Sequence, residues 1–291
     1  MKTALVFGAS GQIGTPLVDR LHAHGWSIVA VSRRERGSAP TLAWKRGDFA
    51  DMPPLPRRVD ALFCCGPLDL FSRWYAGSGI EAARVAAFGS TSVEVKRESR
   101  DPEERDVAAR LREGEQRLFA AAAARGARAT VLRPTLVYGR GRDATLSRIA
   151  ALARRHGRFP LPRGANGLRQ PVHADDLAAA AFAVAHADSL PARAYDLPGG
   201  EALAYREMVR RVLASLDPPA RLLELPSPLF KLLLAGAKAT GRANGLGGAA
   251  LARMREDLVF NLAPAQRDFG YAPRAFRPEA RMFERAVPAR D

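Results

Sequence analysis

Cysteine is nearly absent from this chain: two residues in 291, and those two, Cys64 and Cys65, are adjacent. Neighbouring cysteines do not close an unstrained disulfide, so no disulfide framework and no secreted mini-domain is expected. Both sit at the end of an apolar run and read as small buried thiols. No Cys/His cluster has metal-ligand spacing, so no metal site is expected. No apolar run approaches the ~20 residues of a membrane span. The start, Met1 to Val6, is too short for a signal peptide and dissolves at once into glycines, so a cytoplasmic protein is expected. Acid is also scarce: 30 Asp and Glu face 45 Lys and Arg, a formal charge of +15. That excess suits anionic ligands or surfaces. The arginines are scattered, with neither an aromatic–basic platform nor a DNA-reading motif, so no specific nucleic-acid binding is expected.

What remains is an ordinary globular composition, 47% hydrophobic and 26% charged. Length allows a large domain, or one and a half. The most informative stretch comes first. Thr3 to Phe7 reads as a buried strand. Glycines follow at 8, 11 and 14, and then Ile13, Leu17, Val18 and Leu21 share one helical face. Strand, glycine turn and helix present backbone N–H groups and a helix N-terminus to an anion. Gly8 serves the tight turn, Gly11 the approach of a pyrophosphate, and Gly14 the packing of helix on strand. Ser10, Gln12 and Ile13 complete the expected cofactor contacts.

Downstream, strands and helices alternate, which argues for a parallel sheet with crossover helices. Strands are expected at Ser27–Val31, Leu42–Lys45, Asp60–Cys64, Arg84–Phe88 and Ala129–Leu132. After the second strand comes Ser32-Arg33-Arg34, with no carboxylate before Glu35. An acid there favours a free ribose 2′-hydroxyl and an arginine a 2′-phosphate, so Arg33 points to NADP(H) rather than NAD(H). Asp48 stands where it would accept from the adenine or cap a turn. Gly66, in a small-residue strand ending, leaves room for the cofactor. Only about 20 residues separate the fourth and fifth strands, room for one shortened aromatic helix around Leu68 to Ala76.

Helices are expected at Asp101–Ala124, Thr145–His156, Asp175–His186, the last capped by an aspartate, and Tyr205–Leu216. Leu222 to Thr240 is apolar but interrupted by Pro226, Pro228, Lys231 and Lys238. It reads as a core helix, an interface helix or a helix lying on a membrane surface.

The landmarks Gly8-x-x-Gly11-x-x-Gly14, Gly47-Asp48, Ser90-Thr91-Ser92, Arg133-Pro134…Tyr138-Gly139, Arg169-Gln170-Pro171-Val172-His173-x-Asp175-Asp176 and Phe269-Gly270-Tyr271-Ala272-Pro273 occur in order. In this the chain resembles extended or atypical short-chain dehydrogenases/reductases of the NAD(P)-dependent epimerase/dehydratase superfamily. The resemblance implies a Rossmann-type, doubly wound α/β fold with a smaller substrate-binding region. It assigns residues 1–141 and 175–198 to the dinucleotide domain, with 142–174 and 199–291 in the interleaved substrate region. It places a substrate-orienting hydroxyl at Thr91 beside Ser92 and a diphosphate-gripping arginine at Arg169. His173, between Pro171-Val172 and the Asp175-Asp176 cap, reads from its neighbours as a substrate contact or as a residue supporting one. It implies a small phosphorylated substrate such as a sugar nucleotide, and a monomer or homodimer.

The departure from the family pattern lies in proton transfer. The family's Tyr-x-x-x-Lys pair falls on Val107 and Leu111, counted back from Glu115, and no such motif occurs elsewhere. Valine cannot carry a proton. The candidates for a relocated acid or base are Lys96, in the loop past the fifth strand, and Tyr138. The alternative is an NADP(H)-binding protein without turnover: a regulator, redox sensor or assembly factor.

Overall fold

A computed structural model of the chain describes residues 1–187, 189–239 and 248–284. In chain order the elements are β1 (Thr3–Phe7), α1 (Gly14–Ala23), β2 (Ser27–Ser32), β3 (Leu42–Arg46), β4 (Arg58–Cys64), α2 (Leu68–Gly77), β5 (Glu81–Phe88), α3 (Ser92–Val95), α4 (Pro102–Ala123) and β6 (Arg128–Pro134). Then come β7 (Val137–Tyr138), α5 (Leu146–His156), β8 (Arg158–Pro162), β9 (Leu168–Arg169), β10 (Val172–His173), α6 (Ala174–His186) and β11 (Arg193–Leu197). The last are β12 (Leu203–Ala204), α7 (Tyr205–Ala214), β13 (Arg221–Leu225), α8 (Ser227–Ala239), α9 (Gly248–Arg253), α10 (Ala263–Phe269) and a 3₁₀ turn at Ala280–Phe283.

The chain divides into two compact units. The first comprises Met1–Thr135, Ala174–Leu197 and Asn261–Pro273, the second Leu136–His173, Pro198–Phe260 and Arg274–Asp291. The two units interleave in sequence. The first crossing falls at 135/136 rather than 141/142. Residues 261–273, expected in the second region, return to the first. They do so because α10 packs on α6 and β11, where Asp268 accepts a 2.6 Å hydrogen bond from the Tyr195 hydroxyl and Tyr271 is buried.

The first unit is built on a seven-stranded sheet in the order β3-β2-β1-β4-β5-β6-β11, parallel throughout. The order reverses between β1 and β4, beside the end of β1 that carries the glycine turn. Parallel strands buried on both faces need near-continuous apolar runs, and β1 supplies one. Leu5 and Phe7 enter a core with Leu62, Cys64, Phe71, Val85, Leu118 and Val131. Ala4 and Val6, offset by one, are also fully buried, pointing to the opposite face. There α1 and α6 pack side by side.

The short crossover between β4 and β5 holds as expected: α2 has 10 residues. Rings make up for its length. Trp74 meets Phe7 edge-on at 4.5 Å, and Phe71 stacks on Tyr75 at 5.9 Å. The Arg125 guanidinium covers the outer face of Tyr75 at 4.5 Å and donates to its carbonyl.

The second unit has its own core, with α5 and α7 contributing Leu146, Ile149, Met208, Val209 and Val212 around Tyr138 and Phe276. Its strands form three separate pairs. The Gly/Pro/Arg-rich stretch 158–171 supplies β8 and β9. Leu222 to Thr240 is not one helix. Pro226 has no N–H to continue a strand and separates β13 from α8; Thr240 lies outside the described residues.

Candidate functional site

The glycine turn is the first part of the site. Gly8 has φ +68°, a left-handed conformation, and a Cβ there would stand 2.8 Å from the Cys65 carbonyl carbon. The Gly11 N–H donates back to the Gly8 carbonyl at 2.8 Å, closing the turn. At Gly14 a Cβ would lie 2.1 Å from the Gly8 oxygen, so only glycine lets the helix start this close to the turn. Gly11 differs. Its Cβ would meet the Gly8 oxygen at 3.0 Å and nothing else within 4 Å. That face of the turn is open.

The helical ladder of α1 begins with Thr15 N–H to the Gly11 carbonyl, 3.1 Å. The N–H groups of Gln12, Ile13 and Gly14 precede it, where a helix presents its unpaired donors and positive dipole end. The Gln12 amide oxygen is buried without a hydrogen-bond partner. Ser10 and Ser32 hydroxyls lie 3.5 Å apart, linking the turn to the end of β2. Ser32 is buried, while Arg33 beyond it is exposed. An open glycine face and a helix N-terminus are the fittings a dinucleotide diphosphate requires, and a basic strand end suits a ribose 2′-phosphate.

Asp48 caps its turn. Its Oδ1 accepts from the N–H groups of Ala50 and Asp51 at 2.8 and 3.1 Å. Those bonds lower its carboxyl pKa, with a smaller contribution from Arg33. Gly66 follows the β4 end, where the Cys65 N–H donates to the Phe7 carbonyl at 2.9 Å. Burial drives the Cys64 thiol pKa up to about 12, so it stays a neutral packing group.

The loop after β5 is the second part. Thr91 is buried, and its hydroxyl and its N–H both reach the Pro134 carbonyl at 3.2 Å. Its proton is committed to holding the loop against the end of β6. Ser90 and Ser92 are half-buried, and the Ser90 hydroxyl accepts the Ser92 N–H at 3.1 Å. Lys96 lies at the C-terminal end of the short helix α3, not in an open loop. Its ammonium stands 3.7 Å from Glu104 on α4, with the lysine side chain 27% exposed.

Helix α4 begins where Asp101 accepts the Glu103 N–H at 3.0 Å and Pro102 sets the first turn. Glu104, Val107, Leu111 and Glu115 recur at three- and four-residue spacing, so they share one stripe. Val107 and Leu111 are half-buried. The two carboxylates bracket them: Glu104 faces Lys96, and Glu115 faces Arg133 at the end of β6.

This second pair is the element that sequence reasoning passed over. Arg133 Nε and Nη2 donate to the two Glu115 oxygens at 2.8 and 2.5 Å, and Glu115 is buried. Glu94 and Asp196 lie 3.6 and 3.9 Å from the same guanidinium. Burial acts to lower the Arg133 pKa, but the Glu115 bonds and the surrounding charges leave it raised. Burial raises the Asp196 carboxyl pKa despite the arginine. Arg133 and Glu115 were legible as landmarks, but their contact joins residues 18 positions apart across two elements.

In the second unit, Tyr138 is 1% exposed and meets His173 and Phe276 edge-on at 5.1 and 4.9 Å. His173 is buried beside it, because β7 and β10 pair Tyr138 with His173 directly. Arg169 is buried. It donates to the carbonyls of Leu168 and Glu256 at 2.6 and 2.8 Å and also to that of Arg253, with Tyr205 under the guanidinium. Burial lowers its pKa. These bonds make Arg169 a brace between β9 and the 253–256 segment. Among the described residues no His, Cys, Asp and Glu gather into a metal-binding group.

The parallel sheet with its order reversal at β1, the glycine turn there and the helix N-terminus behind it define a Rossmann-type dinucleotide fold. The chain belongs to the NAD dependent epimerase/dehydratase family, whose profile matches residues 4–63 and 74–197. Among its relatives is the uncharacterised protein y4nG of Sinorhizobium fredii, 25% identical over 301 residues that cover 94% of this chain and 75% of the relative. Similar solved folds include MoeE5 in complex with UDP-glucuronic acid and NAD, at TM-score 0.67, 19% identity and 94% coverage of both chains. Another is the UDP-glucuronic acid 4-epimerase of Bacillus cereus in complex with NAD, at TM-score 0.69, 11% identity and 94% coverage of both chains.

Proposed function

We propose that the protein is an NADP(H)-dependent reductase or epimerase acting on a sugar nucleotide or a related carbonyl or alcohol. The observation that carries the reading is the open face at Gly11 between a closed turn and the start of α1. MoeE5, similar in fold, was solved with NAD and with UDP-glucuronic acid or UDP-glucose, which supports the substrate class. The preference for NADP(H) rests on this chain's own Ser32-Arg33-Arg34, with no carboxylate at the end of β2.

The residues divide as follows. The Gln12, Ile13 and Gly14 N–H groups receive the cofactor diphosphate, and Arg33 the 2′-phosphate. When bound, the nicotinamide accepts or supplies a hydride. Ser92 and the remaining lone pairs of Thr91 orient the substrate oxygen, Thr91 being fixed by Pro134. Lys96 holds or delivers the proton at that oxygen, with Glu104 positioning its ammonium. Burial of Tyr138 favours a packing role for it. Exposed Arg142 and Arg163 suit a phosphorylated tail better than Arg169, whose donors already serve three carbonyls.

A second reading, a cofactor-binding regulator without turnover, is favoured by the apolar Val107 and Leu111. One experiment separates the two. The full chain with NADPH is offered a panel of keto-sugar nucleotides while nicotinamide absorbance is followed. Hydride transfer that falls at least about a hundredfold in Lys96→Ala supports the enzyme. Tight NADPH binding with no turnover on any substrate supports the regulator.

A further inference from the structure

Helix α8 carries apolar residues on two faces. Phe230 is 7% exposed and turns into the second unit, where α8 lies against β8. Leu229, Leu232 and Leu233 point the other way, 50%, 71% and 47% exposed. Their spacing of three and then one places them on a single stripe, the pattern that ordinarily faces a core. A surface helix gains nothing from such a stripe unless something covers it.

Charge identifies the cover. Between Glu224 and Glu256 the sequence has no acidic residue, and it has Lys231, Lys238, Arg242, Arg253 and Arg255. Lys231 is exposed at the edge of the outward face, about 100° around the helix from Leu232. Arg255 is exposed too, and donates to the Ser227 hydroxyl at 2.9 Å, which sets its charge at the first residue of α8. Three partly exposed leucines offer well under the roughly 800 Å² per partner of a stable protein interface. Leucines flanked by lysine, with the ammonium free to reach out while its stem lies along apolar surface, suit the boundary between lipid headgroups and acyl chains. No helix among the described residues is long and apolar enough to cross a membrane.

We propose that the protein docks peripherally on an anionic lipid surface through α8. Leu229, Leu232 and Leu233 enter the headgroup boundary, and Lys231 and Arg255 contact lipid phosphates. The docking is separate from the dinucleotide site and does not depend on the protein's activity.

The test is flotation of the full chain with vesicles of phosphatidylcholine alone and of phosphatidylcholine with phosphatidylglycerol. Wild type is expected to float with the anionic vesicles, less so as salt is raised. Leu232→Glu lowers the partition coefficient about tenfold or more, the scale of one leucine's burial. Leu229→Ser lowers it in the same direction, and Lys231→Glu several-fold. Leu152→Glu, at another exposed leucine on α5, leaves it unchanged; thermal melts confirm that each variant is folded. Failure of wild type to float overturns the proposal. Unchanged binding in Leu232→Glu also overturns it, since adsorption is then by charge alone. A wild-type dimer that Leu232→Glu converts to monomer, with no vesicle binding, assigns the stripe to a second copy instead.

Discussion

Glu115 on α4 and Arg133 at the end of β6 meet in a two-point ion pair, 2.8 and 2.5 Å, with the glutamate side chain 7% and the arginine 18% exposed. The pair locks the helix that carries Val107 and Leu111 onto the strand whose Pro134 carbonyl holds Thr91. A structural pair of this kind keeps the loop geometry whether or not a tyrosine stands on the helix.

Removing one partner strands a buried charge, which costs far more than the pair itself contributes. Glu115→Gln is expected to lower stability by about 3 kcal/mol, with Glu94 and Asp196 limiting the loss. The double variant Glu115→Leu, Arg133→Met should regain most of it. Urea unfolding of wild type and the two variants measures this. A loss below about 0.5 kcal/mol in Glu115→Gln would show that the pair is solvated.

Gly14 and Gly11 of the turn should respond differently to substitution. Gly14→Ala drives a methyl into the Gly8 oxygen, 2.1 Å away, and is expected to cost several kcal/mol or prevent folding. Gly11→Ala meets that oxygen only at 3.0 Å and should fold with a small loss. It nevertheless fills the face left for the diphosphate, so NADPH affinity should fall at least about tenfold. Calorimetric titration and thermal melts of the two variants give both readouts. Equal NADPH binding by Gly11→Ala and wild type would remove the turn from the cofactor site.

Asp196 gives a pH signature. Burial raises its carboxyl pKa above the ordinary 3.8, so the folded protein holds that proton more tightly than the unfolded chain. Its contribution favours folding fully below about 3.8 and is lost as pH rises through the folded value. Asp196→Asn should therefore be more stable than wild type near neutrality, with the advantage shrinking as pH falls toward 3.8. Melting temperatures across that range decide it. A variant less stable than wild type at neutral pH would mean that the attraction of Arg133 outweighs burial.

The first unit was largely legible because its signals are local. An apolar run ending at Gly8, and a helical pattern after Gly14, fix strand, turn and helix within 20 residues of one another. Strand boundaries moved by a few residues, as at β5, which starts at Glu81 rather than Arg84. What the sequence concealed depends on pairing across distance. Arg169 reads as an anion clamp in one dimension, and only the fold shows its donors spent on Leu168, Arg253 and Glu256. Asp175, expected as a cap, stands inside the first turn of α6, since the helix begins at Ala174. The pairing of β8 with β13 joins two Pro-bounded stretches about 60 residues apart, and neither has a strand pattern of its own.

An NADP(H) site at the glycine turn and the end of β2 is tested most directly by comparing the two nucleotides. NADPH and NADH are titrated calorimetrically into the full chain and into Arg33→Asp. Wild type is expected to bind NADPH about tenfold or more tightly than NADH, the scale of one charge-assisted phosphate contact. Arg33→Asp should lose most of that preference by weakening NADPH binding alone. Binding of neither nucleotide, or an equal effect of the substitution on both, would contradict it.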